Sequence, residues 1–288
     1  MKIAISGASG FLGKELGAYY ENLGFDVVRL SRKHFRSNIH DFKEHLRGVD
    51  VLIHLSGAVI FKRWTSSYRK ELYASRLGTL EKLHTALKLI KERPKLILAA
   101  SAVGLYSKDD HRHTEEVHVV GDDFLGQLVK AWEEKANELN ELENMRVVNL
   151  RFGVVLGRKA AAFRKLILPF KLGVGGKLGT GNQPFSFIHV DDVKDITMFF
   201  IQRKDLSGPF NLVAPEIVSN KEFAQKIGHI LRRPSFLPVP RWALWLLKGK
   251  ASTILTKGSK VYPNRLLQEG YEFKYPTSDG TLEDLLRK

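Results

Sequence analysis

A chain of 288 residues with 46 Lys+Arg against 31 Asp+Glu, a formal charge of +15 and no cysteine has the size of one large or two small domains. The missing cysteine excludes disulfides, thiolate nucleophiles, iron–sulfur clusters and thiolate zinc sites. No apolar run nears the roughly 20 residues that span a bilayer, Trp242 to Leu247 being the most suggestive, and the start Met1-Lys2-Ile3 runs straight into a Gly-rich turn without a signal-peptide pattern, so a cytoplasmic protein with no membrane partner is expected.

In chain order, the runs Lys2 to Ser6, Asp26 to Leu30, Val51 to Leu55, Leu96 to Ala100 and Val147 to Arg151 are short and rich in Val, Ile and Leu, as strands buried on both faces are. Between them Phe11 to Leu23, Tyr68 to Lys91 and Phe124 to Leu142 carry apolar residues at three- and four-residue spacing, which predicts helices. The alternation predicts an α/β fold with a doubly wound parallel sheet over residues 1–150. After Arg151 the glycines from Gly173 to Gly181, the Pro234 to Pro240 segment and short helical pieces predict a smaller lobe over residues 151–288. The positive excess belongs to this second part, where no acid falls between Glu143 and Asp191 or between Glu222 and Glu269.

The strongest motif is Ser6-Gly7-Ala8-Ser9-Gly10-Phe11-Leu12-Gly13, placed where the first strand gives way to the first helix. Its glycines permit a tight turn and let a pyrophosphate approach the N–H groups at the helix start, so Gly7, Ser9, Gly10, Phe11, Leu12 and Gly13 are candidate cofactor ligands. An acid after the second strand would accept from a ribose 2′-OH. This chain has Ser31 and Arg32 there, which suit a 2′-phosphate and predict NADP(H). The third strand runs into Leu55-Ser56-Gly57-Ala58, a small-residue turn fit to lie against a cofactor ribose. His54 is read as a packed strand histidine. His111-x-His113 lacks a recognisable third ligand, and no metal site is expected.

Together, Gly7-x-x-Gly10-x-x-Gly13, Leu150-Arg151-Phe152-Gly153 and Phe187-Ile188-His189-Val190-Asp191-Asp192-Val193 resemble the extended short-chain dehydrogenase/reductases, the nucleotide-sugar epimerase and dehydratase group. Arg63-Trp64-Thr65, Ser75-Arg76, Ser101-Ala102-Val103-Gly104-x-Tyr106 and Ala131-Trp132-Glu133 are similar to an atypical branch of that family, and residues 236–288 resemble that branch's C-terminal domain of unknown function. The resemblance implies a Rossmann lobe to which a segment of about 185–205 returns, and a C-terminal lobe covering the substrate. It also implies that Arg76, Ser101, Arg151, Gly153 and Val154 line the cofactor.

The family's usual Tyr-x-x-x-Lys pair exchanges a proton with the substrate oxygen. None of the eight tyrosines here has Lys four residues later, and aligning Trp132-Glu133 with the end of the usual helix motif puts Leu125 and Val129 at the two positions. Ser101, Tyr106 and Lys130 are then the candidate catalytic groups. Trp64 and His189 are candidates for the substrate site, Trp64 as an aromatic beside cations able to stack on a planar or sugar group. The expected function is an NADP(H)-dependent oxidoreductase or epimerase acting on a small anionic or nucleotide-linked substrate. The alternative is a non-catalytic NADP(H)-binding regulator that engages a partner protein. No nucleic-acid-reading module is recognisable, and monomer and homodimer are equally open.

Overall fold

The computed structural model describes residues 1–287. Strands β1 (Lys2–Ser6), β2 (Asp26–Leu30), β3 (Val51–His54), β4 (Leu96–Ala102), β5 (Arg112–His113), β6 (Arg146–Phe152), β7 (Val154–Leu156), β8 (Phe187–His189), β9 (Gly208–Leu212) and β10 (Lys260–Val261) follow one another along the chain. The helices of the first half are α1 (Phe11–Asn22), α2 (Arg32–Arg36), α3 (Ile39–Glu44), α4 (Ser66–Tyr73), α5 (Thr79–Lys88) and α6 (Phe124–Asn137). Those of the second half are α7 (Ala161–Lys171), α8 (Val190–Gln202), α9 (Asn220–Leu231), α10 (Arg241–Lys248), α11 (Thr253–Thr256), α12 (Asn264–Gln268) and α13 (Ser278–Leu286).

Six strands form one parallel sheet in the order β2-β1-β3-β4-β6-β9. The chain steps from β1 outward to β2 and then resumes on the other side at β3, so the crevice beyond the ends of β1 and β3 is the topological switch point, the place where α/β sheets take their ligands. Alternation along β1 sends Ile3 and Ile5 to one face, with Leu16, Tyr20, Ile196 and Phe200 from α1 and α8, and Ala4 to the other, with Leu80, Leu83, Trp132 and Ala136 from α5 and α6. Both faces are covered, which is why the strands read as apolar runs.

The sheet reaches further along the chain than the return of about 185–205 expected from the resemblance. β9 pairs with β6, and α8 packs beside α1 through the Tyr20 hydroxyl, which donates to Thr197 Oγ1 at 2.8 Å. The second lobe therefore consists of the segments on either side of this re-entry. Its core gathers Phe163, Phe187, Phe223, Ile227 and Leu282 from α7, β8, α9 and α13. It is tied to the first lobe by parallel pairing of β10 with β5 and by Arg265, which donates to the carbonyls of Ser207 and Pro209. The helix expected over Tyr68 to Lys91 is instead α4 and α5 joined by a π-helical turn, Ala74–Gly78. Among the described residues, no helix is long and apolar enough to cross a membrane.

Candidate functional site

The turn after β1 is built for close approach. Gly7 has φ +69°, and a Cβ there would stand 2.7 Å from the Leu55 carbonyl oxygen. A Cβ on Gly13 would stand 2.5 Å from the Gly7 oxygen, so the turn folds back onto the first turn of α1. Gly10 is the N-cap of α1, with no side-chain cap and no acid in the first turn, so the helix start presents N–H groups and the positive end of its dipole without any internal anion to answer them. Ser9 is exposed beside it, Leu12 packs against the sheet core, and the Phe11 ring lies where Gly157 leaves room for it.

Two cations border the crevice. Arg32 is exposed at the start of α2, where Ser31 caps the helix and exchanges hydrogen bonds with His34, and it makes no ion pair among the described residues. Arg76 sits in the π-helical turn, a geometry that recurs at functional positions. It is buried, donates to the carbonyls of Leu72 and Ala58 at 3.2 Å each, and lies 4.9 Å from the Trp132 ring centroid, with no carboxylate partner among the described residues. Burial lowers its pKa to about 10. Gly57 makes room for the guanidinium, and Ser75 Oγ accepts from the Ala58 N–H at 2.9 Å, which fixes the small-residue turn over it. Burial and the charge of Glu71 raise the Tyr68 phenol, with Arg76 and Arg32 acting the other way.

An uncapped helix start, glycines whose Cβ atoms would collide with backbone, and cations without carboxylates fit a dinucleotide carrying several phosphates. Gly7, Ser9, Gly10 and the first N–H groups of α1 would hold its pyrophosphate, Arg32 with Ser31 its 2′-phosphate, and Leu55 to Ala58 its riboses.

Beyond the crevice the polar candidates are joined in one buried chain. Ser101, at the end of β4, donates to Glu133 Oε1 at 2.5 Å. Glu133 accepts both Nε and Nη2 of Arg151 at 2.8 Å, a bidentate pair. Arg151 Nη1 donates to the Tyr106 hydroxyl at 2.8 Å, and that hydroxyl donates to Asn211 Oδ1 at 2.5 Å. Burial works against the charge of Arg151, but hydrogen bonding and the charge of Glu133 outweigh it and hold the guanidinium above its ordinary range. Burial pushes the Tyr106 phenol up to about 12 despite Arg151 beside it.

The structure brings Ser101, Tyr106 and Arg151 together, and it turns other sequence candidates away from the site. Tyr106 has no exposed surface and stacks on His113 with ring centroids 5.1 Å apart, so its phenol is a packed group whose hydrogen bonds are spent internally. Arg151 likewise spends its guanidinium on Glu133 and Tyr106, and the backbone of Gly153 and Val154 hydrogen-bonds to Leu212 and Ser186. Lys130 stands on the solvent side of α6, 3.9 Å from Glu134, while Leu125 and Val129 face the turn at Gly104. Spacing of one residue on a helix turns a side chain by about 100°, which separates Lys130 from Val129.

Trp64, expected to be exposed for stacking, is buried: its Nε1 donates to the Ile60 carbonyl at 2.9 Å and its ring packs 5.0 Å from Phe124. A large apolar ring next to cations gained more from this cluster than from solvent. His189 is also buried. Its Nδ1 accepts from the Asp191 N–H at 3.1 Å, capping α8, and its ring lies 3.9 Å from Tyr275. His54 is wedged between Ser6 Oγ at 2.7 Å and Thr79 Oγ1 at 3.2 Å, and burial lowers its pKa to about 3. Sequence reasoning missed Glu133 as the centre of the buried chain. Its one signal was an acid on the apolar face of a helix, one residue after Trp132.

Comparison with known proteins agrees with this architecture. Residues 3–213 match the NAD dependent epimerase/dehydratase family, and residues 239–285 match a domain of unknown function, DUF1731. The chain is 32% identical over 299 residues to the epimerase family protein YfhF of Bacillus subtilis, covering 99% of this chain and 98% of that one. Among solved structures, human epimerase family protein SDR39U1 with NADPH is 31% identical with a TM-score of 0.90, covering 99% of each chain. The nucleoside-diphosphate sugar epimerase from Corynebacterium glutamicum is 26% identical with a TM-score of 0.80, over 99% of this chain and 58% of that one. A Rossmann-type sheet of this order, its Gly-rich turn at the switch point, and matches spanning both lobes lead to one conclusion: the chain belongs to the NAD dependent epimerase/dehydratase family.

Proposed function

We propose that the protein binds NADP(H) at the switch-point crevice and is an oxidoreductase or epimerase-like enzyme of its family for a small anionic or nucleotide-linked substrate. The observation that carries the cofactor reading is the pairing of a bare α1 N-terminus with two arginines, Arg32 and Arg76, that have no carboxylate partner among the described residues. A buried guanidinium without a counter-charge is costly, and a phosphate beside it offsets that cost. The NADPH in the human relative supports the same choice.

The bound nicotinamide supplies hydride chemistry. What this chain adds is position: Ser101 and the buried Glu133–Arg151 pair fix the end of β4 against β6, and Leu125 and Val129 pack under the turn at Gly104. Ser101 gives its Oγ–H to Glu133 and Tyr106 its O–H to Asn211, so in this arrangement neither side chain holds a proton free for a substrate oxygen. One specific observation favours the second reading, a non-catalytic NADP(H)-dependent partner-binding protein: every polar candidate near the end of β4 is committed to an internal bond.

The experiment is NADPH turnover, followed by nicotinamide absorbance, across a panel of carbonyls and nucleotide sugars, with Ser101→Ala as the comparison. Turnover with one class and its loss in the variant at unchanged NADPH affinity supports the enzyme. NADPH binding with no turnover anywhere, together with capture of a protein partner only when NADPH is present, supports the second reading.

A further inference from the structure

Helix α10 has an apolar face that nothing among the described residues covers. Trp242, Trp245 and Leu246, at i, i+3 and i+4, share one side of the helix and are 71%, 57% and 64% exposed, whereas Leu244 is turned inward and buried. The patch continues into the preceding segment, where Phe236 is 76% exposed. That segment runs alongside residues 176–179: Leu178 bridges Val239, and the Gly179 N–H donates to the Val239 carbonyl at 2.9 Å. Leu172 and Val174, in the stretch leading into this pairing, are exposed as well. A helix that is apolar on its outer side as well as its inner one needs a second apolar environment.

The charge around the patch identifies that environment. Lys171, Arg241, Lys250 and Lys257 are exposed and make no ion pair among the described residues, and the chain has no acid at all from residue 223 to 268. Against the expectation of no membrane partner drawn from the sequence, we infer that α10 and the segment before it form a docking surface for an anionic phospholipid membrane, with the tryptophans at headgroup depth and the helix lying in the plane of the interface. Tryptophans beside lysines and arginines suit that boundary, where an apolar body sits among acyl chains and cations meet phosphates. A second copy of the chain would set one uncompensated cationic rim against another, so self-association is opposed by the same charges. With eight residues, about 12 Å long, α10 lies on a bilayer and does not cross it.

The full-length protein is mixed with vesicles of phosphatidylcholine alone and of phosphatidylcholine with phosphatidylglycerol, and bound protein is measured by sedimentation. Trp64 and Trp132 are buried, so a shift of tryptophan emission to shorter wavelength reports on Trp242 and Trp245. The expected result is binding to the anionic vesicles, weakened by salt, with the emission shift. Trp242→Ser/Trp245→Ser is expected to bind at least about tenfold more weakly at an unchanged thermal melt. Lys250→Glu/Lys257→Glu, which alters only exposed side chains, is expected to lose binding in the same direction. No retention on either vesicle overturns the inference, as does undiminished binding by the tryptophan variant. So does a concentration-dependent dimer that the tryptophan variant abolishes while vesicles bind nothing, since that outcome gives the face to a second copy.

Discussion

Arg151 is a guanidinium buried at the boundary of sheet and site, and its companion Glu133 is what makes that position tolerable. Removing one member of a buried bidentate pair leaves an uncompensated charge, so Glu133→Gln is expected to destabilise the fold by about 3–5 kcal/mol, read by chemical denaturation. A loss below about 1 kcal/mol would show the pair to be solvated in solution. Sequence gave no view of this partnership, because Ser101, Glu133 and Arg151 come together only through the register of β4 with β6 and the packing of α6 across them. The glycine turn was legible for the opposite reason: its chemistry is local, and Gly7, Gly10 and Gly13 act through the backbone of one short segment. Trp64 and Lys130 show where reading side chains one at a time stops, since residue type says what a group can do and packing says which way it points.

Among the elements, β1 and β3 are locked at their ends by His54 between Ser6 and Thr79. The folded-state pKa of His54 is about 3, below its value of 6.5 when free, so the unfolded chain takes up this proton first on acidification. His54 therefore leaves stability intact above about pH 6.5 and erodes it as pH falls toward 3, by up to about 1.4 kcal/mol per pH unit. The difference in unfolding free energy between the parent protein and His54→Asn is expected to narrow over that window, and a difference independent of pH would contradict the assignment. At the start of α6, a Cβ on Gly126 would meet the Gly121 carbonyl oxygen at 2.1 Å. Gly126→Ala is expected to cost about 1–3 kcal/mol by forcing the backbone apart, measured by thermal melting, even though alanine is the better helix former. Strand positions were legible because burial on both faces leaves a continuous apolar signature. The π-helical turn inside the Tyr68 to Lys91 pattern was not, because its extra residue barely disturbs the apolar spacing.

At the scale of the molecule, the doubly wound sheet puts the Gly-rich turn, the turn at Gly57 and the end of β4 around one crevice, and the re-entry of α8 and β9 anchors the second lobe to it. The positive excess of the second half now divides: part of it is spent in internal bonds such as those of Arg265, and part rims the apolar face of α10. In the proposed function the crevice takes NADP(H) and Arg32 meets the 2′-phosphate. Calorimetric dissociation constants for NADPH and NADH, on the parent protein and on Arg32→Glu, test it most directly. The substitution is expected to weaken NADPH about thirtyfold more than NADH, the effect of losing a charge-assisted contact of about 2 kcal/mol. Equal losses for the two cofactors, or tighter binding of NADH than NADPH by the parent protein, would contradict it.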